Sequence, residues 1–147
     1  MIQRIQTVYL LISALLVGFL FLFPFAEIAK DGAVYLFNFH GIVQDGILKQ
    51  NGIFISVLIV LIMVLQVVAT ISYKNRTRQI RLIVLSILLL MCLLGMFFFY
   101  TYYSFSNAQI GFKTGVLFPI IAIILNYLAI HAIRKDEALI RSIDRIR

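Results

Sequence analysis

The residues of this chain that could perform hydrolytic chemistry stand in two polar stretches between apolar segments. They are Glu27, Asp31, His40, Asp45, Ser104 and Ser106. A carboxylate or a histidine can act as a general acid or base, and a serine becomes a nucleophile when a neighbouring base takes its proton. No nucleophile motif organises these side chains. We therefore interpret them as solvated loop residues, and we predict no catalytic residue and no enzyme activity.

The sequence also contains few residues that could bind a metal ion or a cofactor. The two histidines, His40 and His131, are expected on opposite sides of the membrane, and neither has a cysteine or carboxylate at the spacing of a metal site. The single cysteine, Cys92, lies inside an apolar run and can form no intrachain disulfide. Glycine-rich phosphate loops and redox or haem motifs are absent from the sequence. We predict no metal ion and no cofactor.

The composition explains why chemistry is sparse. The chain has 147 residues, of which 63% are hydrophobic and only 13% charged, whereas a soluble domain is about a quarter charged. Its mean hydropathy is +1.04, which indicates a membrane protein. The net charge of +7 does not indicate DNA binding, because the lysines and arginines flank apolar runs instead of gathering in a soluble domain.

Four segments are long enough, at about 1.5 Å per helical residue, to cross a hydrocarbon layer of roughly 30 Å. The predicted spans are residues 7–25, 53–71, 82–100 and 115–133. The connecting segments are residues 26–52, 72–81 and 101–114, and a tail follows at 134–147. The sequence therefore predicts one all-α membrane domain, a bundle of four transmembrane helices.

Positive charge predicts the orientation. Ten lysines and arginines fall on one side of these spans and three on the other, and short loops rich in Lys and Arg stay in the cytoplasm. Four of the ten, Lys74, Arg76, Arg78 and Arg81, lie in the connector 72–81 and would fix the topology. We expect both termini in the cytoplasm and the segments 26–52 and 101–114 outside it.

The outer segments are rich in aromatic residues and in strand and turn signals. The stretch "GAVYLFNFHG" favours a strand, and the Asp-Gly and Asn-Gly pairs that follow favour turns. A strand pair in 26–52 and a third strand near "AQIGFKTG" predict a small periplasmic β-sheet cap over the helices. The aromatic residues form either the core of this cap or a surface that docks a partner protein. The candidates for contact with a partner or with lipid are Phe97, Phe98, Tyr102 and Tyr103.

Two amides lie inside the predicted spans, Gln66 and Asn126. We interpret them as groups that form hydrogen bonds between helices, which are worth about 0.6 kcal/mol each in membranes. The alternative is that they line a pore together with Ser86. On that alternative the protein is a small oligomeric transporter or channel.

The tail predicts a basic amphipathic helix beside the membrane, because its apolar residues share one helical stripe. Arg141, Arg145 and Arg147 could reach lipid phosphates. Alternatively, the tail presents its charge to a cytoplasmic partner, either another subunit or ribosomal RNA.

The start "MIQRIQTVYLL" and the end "RKDEALIRSIDRIR" resemble a family of small integral membrane proteins from Bacteroidota, a domain of unknown function numbered 4293. The resemblance implies a multi-pass protein in the bacterial inner membrane with its outer loops in the periplasm. It implies no activity and no catalytic residue. Our functional hypothesis is a non-enzymatic accessory or stabilising subunit of a larger envelope complex, with protein export as one candidate host, that contacts membrane lipids and other membrane protein subunits.

Overall fold

The computed structural model describes residues 3–30, 32–104 and 109–144. The helices are α1 (Gln3–Phe19), α2 (Ile53–Ile71), α3 (Arg76–Ser104) and α4 (Leu117–Asp144). The strands are β1 (Ala26–Lys30), β2 (Ala33–Asn38), β3 (Gly41–Gln44), β4 (Ile47–Asn51) and β5 (Gln109–Phe112). Short 3₁₀ turns precede α3 and α4.

The helices pack side by side, with α1 and α3 each in contact with both α2 and α4. Helix α2 buries one face against its neighbours. Its buried residues recur every three or four positions and are Ile55, Ile59, Ile62, Gln66 and Ala69. Apolar residues also cover the outward faces of these helices. In water such surfaces would cause aggregation, whereas in a bilayer the lipid tails cover them.

The prediction of a bundle of four transmembrane helices is wrong, because among the described residues three helices, and not four, are long and apolar enough to cross a membrane. The apolar spans are Ile53–Lys74, Arg76–Tyr103 and Thr114–Ile140. The apolar part of α1 covers only Ile5–Phe19. The predicted first span ran to residue 25, but the helix ends at Phe19, shortly before Pro24. Pro24 has no backbone N–H, and in a helix its ring would clash with the carbonyl of Leu20 four residues earlier, so the helix cannot continue through this segment.

The all-α fold class with a small cap is also wrong, since the strands form one five-stranded antiparallel sheet in the order β4-β3-β2-β1-β5. Four of these strands come from residues 26–51, where the sequence predicted a single pair. The Asp45-Gly46 pair joins β3 to β4 with positive φ at both residues, as a tight hairpin requires. We call the end of the molecule that carries this sheet the sheet end, and the opposite end, which carries residues 72–81, the turn end.

The inner face of the sheet packs on the helices through aromatic rings. Phe37 of β2 lies 5.3 Å from the ring of Phe25 and 5.9 Å from that of Phe97 on α3. Phe25 also ties the sheet together through its backbone, because its N–H donates to Phe37 and its carbonyl accepts from Lys113. All three phenylalanines are at most 1% exposed, so the sheet and the helices share one core.

Candidate functional site

A layer of polar side chains crosses the interior of the helices, with one residue from each: Ser13, Gln66, Ser86 and Asn126. All four are fully buried. Gln66 Nε2 donates to Ser13 Oγ at 2.9 Å, and Asn126 Nδ2 donates to Ser86 Oγ at 3.3 Å. Ser13 Oγ donates in turn to the carbonyl of Ala122 at 3.3 Å. These bonds join α1 to α2, α3 to α4 and α1 to α4, so both amides lie at helix contacts.

The polar layer lies between two apolar clusters. Towards the sheet end it borders a cluster that includes Ile62 and Leu90, and towards the turn end a cluster that includes Leu10 and Ile83. The amide oxygens of Gln66 and Asn126 have no hydrogen-bond partner among the described residues. A buried layer of neutral groups enclosed by hydrocarbon can fix the register of the helices.

The four aromatic residues proposed as partner contacts do not lie together on one surface. Phe97 is 1% exposed and its ring stacks on Phe25 with centroids 4.0 Å apart, so it belongs to the core. Phe98, Tyr102 and Tyr103 are 44%, 61% and 79% exposed. These three lie near the end of α3, where lipid headgroups and a partner protein are both possible neighbours.

The outer face of the sheet carries an apolar patch that the sequence analysis did not identify. Leu36 of β2 pairs with Val43 of β3, and Val43 pairs with Leu48 of β4, so the three side chains form a row across the strands. Val34 lies two residues before Leu36 and therefore on the same face. We call Val34, Leu36, Val43 and Leu48 the outer patch. No sequence signal identifies it, because residues 33–37 are apolar without alternation and only the fold decides which side of β2 is exposed.

The other half of the same sheet face is polar. Leu36 pairs with Glu27 of β1, and Glu27 pairs with Gly111 of β5. The Lys113 ammonium lies 2.6 Å from the Glu27 carboxylate, and both side chains are partly exposed. The outer face is therefore divided into an apolar half on β2–β4 and a polar half on β1 and β5.

The turn end holds the basic residues that we expect to set the topology. Lys74, Arg76, Arg78 and Arg81 line one open cavity of about 450 Å³, together with Asn75 and Thr77. Arg76 is half-buried and the other three basic residues are exposed. Within the described part of the chain, none of these four cations forms an ion pair. Their charge is therefore available to groups outside the protein.

A buried carboxylate joins the first and last helices at the same end. Asp136 of α4 is 7% exposed and accepts a hydrogen bond from Gln6 Nε2 of α1. The sequence does not reveal this contact, because both residues stand at the margins of apolar runs and their proximity depends on tertiary structure. The bond fixes the start of α1 against α4.

The tail is described only in part. Helix α4 continues through Asp144, past the end of its apolar span at Ile140, and Arg141 lies in this extension. Arg145 and Arg147 lie outside the described residues. The proposed contacts of these arginines with lipid or with a partner stay predictions.

Three long apolar helices, joined to a sheet at one end, indicate a membrane protein. The chain belongs to the family described as "Domain of unknown function (DUF4293)", which matches residues 2–146. This match confirms the family to which the terminal motifs pointed, whereas the Bacteroidota origin stays a prediction. No curated protein and no solved structure matches the chain.

Proposed function

We propose that this protein is a non-enzymatic integral membrane protein that serves as an accessory or stabilising subunit of a larger envelope complex. The observation that carries the proposal is the outer patch on the sheet. Val34, Leu36 and Leu48 are 56%, 38% and 49% exposed on the face that points away from the helices. An apolar surface in that position is typical of a protein interface.

The outer patch differs in kind from the exposed apolar residues of the helices. Lipid tails account for side chains such as Val57 and Leu88, each 61% exposed on a span. Strands that face water normally alternate apolar and polar residues, with the polar ones outside. In the outer patch the outside residues are apolar. Strand β4, which contributes Leu48 to the outer patch, lies at the edge of the sheet, so a strand of the partner could pair with it.

The charge distribution supports an orientation with the sheet end outside the cell membrane and the turn end in the cytoplasm. The segments at the sheet end hold three lysines and three acidic residues, so their charge is zero. The entire net charge of +7 therefore belongs to the rest of the sequence, which includes the basic connector at the turn end. This asymmetry follows the positive-inside rule for an inner membrane and would place the outer patch where periplasmic partners can reach it.

The polar layer supports a structural role for Gln66 and Asn126 over the transporter alternative. A transport path needs polar groups that face an aqueous route or ionisable groups that bind the cargo. Here the amides bond to serines of neighbouring helices, and apolar clusters lie on both sides of them.

The test is partner capture in native membranes with a matched pair of variants. A photo-crosslinking residue at position 34 should yield a stoichiometric adduct with another protein. Leu36→Lys should abolish this adduct, because it places a charge in the centre of the outer patch. Gln109→Lys adds the same charge to the polar half of the same face and should preserve the adduct.

Two results would contradict the proposal. One is that the tagged protein, purified in gentle detergent, migrates alone as a monomer or homodimer with no companion. The other is that both lysine variants retain the adduct, which would mean that the outer patch does not contribute to the contact.

A further inference from the structure

We propose that the cavity at the turn end is a binding site for the phosphate group of an anionic phospholipid. The site consists of Lys74, Arg76, Arg78 and Arg81 around the short connection between α2 and α3, with Asn75 and Thr77 between them. We call it the basic cavity. The inference does not depend on the outer patch or on a partner protein.

The described residues do not compensate the positive charge of the basic cavity. Four cations line a space of about 450 Å³, and no acidic side chain is among the lining residues. Within the described residues none of the four has an ion-pair partner, in contrast to Lys113 at the sheet end. Mutual repulsion of like charges disfavours this arrangement unless an anion enters it. Arginine is suited to phosphate because its guanidinium can donate two parallel hydrogen bonds.

Two of these cations occupy an unfavourable position on α3. Arg76 and Arg78 stand in the first turn of the helix, which contains no acidic residue. The first turn of a helix carries partial positive charge and unpaired N–H groups, so acidic residues are favoured there and basic residues are not. A phosphate in the basic cavity would satisfy both the arginines and the helix terminus.

The depth of the basic cavity in the membrane favours lipid over a soluble anion as the source of the phosphate. The apolar span of α2 extends to Lys74, and that of α3 begins at Arg76. The basic cavity therefore lies where the hydrocarbon ends, at the level of the lipid headgroups. Basic clusters next to membrane spans on the cytoplasmic side bind anionic headgroups for this reason.

The experiment counts bound lipid on the full-length protein in neutral detergent by native mass spectrometry. Phosphatidylglycerol and phosphatidylcholine are titrated separately onto the wild-type protein, R76Q/R78Q and R134Q/K135Q. The last variant is the matched control, because it removes the same charge from exposed residues of α4 outside the basic cavity. Circular dichroism and size-exclusion chromatography verify that each variant is folded.

We expect the wild-type protein to bind phosphatidylglycerol about tenfold more tightly than phosphatidylcholine, and R76Q/R78Q to lose about tenfold in affinity for phosphatidylglycerol. The control R134Q/K135Q should lose less than about threefold, as expected from the change in net charge alone. If R76Q/R78Q does not fold, Arg81→Gln removes one lining charge further along α3 and should cause a smaller loss.

Equal losses in the two double variants would overturn the proposal, because the effect would then be nonspecific attraction. Inorganic phosphate is added as a competitor to separate the two sources of the anion. If millimolar phosphate displaces phosphatidylglycerol from the wild-type protein, the basic cavity serves a soluble phosphate and the assignment to lipid is wrong. Retention of the lipid supports the assignment.

Discussion

The sheet end has an interior filled with aromatic rings, and the segments that meet there have balanced charges. The turn end has a cavity lined by four cations that have no ion-pair partner among the described residues. At the sheet end an acid and a base meet within the fold, as in the pair of Glu27 and Lys113. At the turn end the acid Asp136 accepts a hydrogen bond from the neutral side chain of Gln6, and no ion pair of Asp136 is found among the described residues.

This difference suggests separate tasks for the two ends. Packing at the sheet end should determine stability, because buried aromatic rings contribute the largest contact areas in a small protein. Charge at the turn end should contribute little to stability and instead determine orientation and lipid contact. Substitutions at the two ends should therefore differ in size and, in one case, in sign.

The largest effect should come from Phe37→Ala at the sheet end. Phe37 is fully buried and contacts the rings of Phe25 and Phe97, so its removal leaves a cavity where β2 meets α3. The free energy of unfolding should fall by about 3–5 kcal/mol. Equilibrium unfolding in mixed detergent micelles measures it. Phe99→Ala is the control, because Phe99 is 61% exposed, and a loss as large as that of Phe37→Ala would contradict the packing argument.

A smaller effect should follow from Gly41→Ala, where β3 begins close to the start of α2. Gly41 has φ of +127°, and an added Cβ would collide with the carbonyl of Gln50 and stand 2.6 Å from the amide nitrogen of Gly52. Strain and collision together should lower the free energy of unfolding by about 2–3 kcal/mol.

Gly46→Ala is the matched control for this substitution. Gly46 also has a positive φ, of +81°, but an added Cβ meets nothing within 4 Å. Its cost should be only the backbone term, about 1 kcal/mol. Thermal unfolding of both variants in the same detergent makes the comparison. Equal losses would show that the close approach of Gly41 to Gly52 is unimportant for stability.

Local signals predicted some of these features and missed others. Helix α2 covers the same residues, 53–71, as the predicted segment, because a glycine and a polar turn flank a continuous apolar run. Helix α1 is shorter than predicted because hydropathy does not register the effect of Pro24 on the preceding turn. The third strand expected near "AQIGFKTG" is β5, which pairs with β1. The sheet was underestimated because residues 33–44 divide into β2 and β3, and hydropathy alone does not mark the turn between them.

The same limit applies to the candidate sites. Composition identified the phenylalanines near the end of α3, but consecutive helical residues point about 100° apart, so only tertiary packing decides that Phe97 is buried and Phe99 exposed. Gln66 stands out in an apolar run, but its serine partner depends on how α1 is rotated against α2. The basic connector was visible from charge alone, whereas the cavity that it lines required the fold.

The smallest effect, and the one that best separates the two ends, should come from Arg78→Gln at the turn end. Arg78 stands in the first turn of α3, where the partial positive charge of the helix repels it. In neutral detergent without anionic lipid, nothing in the solvent offsets this repulsion. Neutralisation of Arg78 should raise the free energy of unfolding by about 0.3–1 kcal/mol. Arg81 lies beyond the first turn, so Arg81→Gln should change the free energy of unfolding less.

Added phosphatidylglycerol should reverse this order of stability. If this lipid occupies the basic cavity, it should stabilise the wild-type protein more than it stabilises the Arg78→Gln variant, so that the variant becomes the less stable of the two. Unfolding curves of both proteins with and without the lipid measure the difference in free energy of unfolding under each condition. A variant that is less stable than the wild-type protein in both conditions would show that Arg78 supports the fold through protein contacts alone.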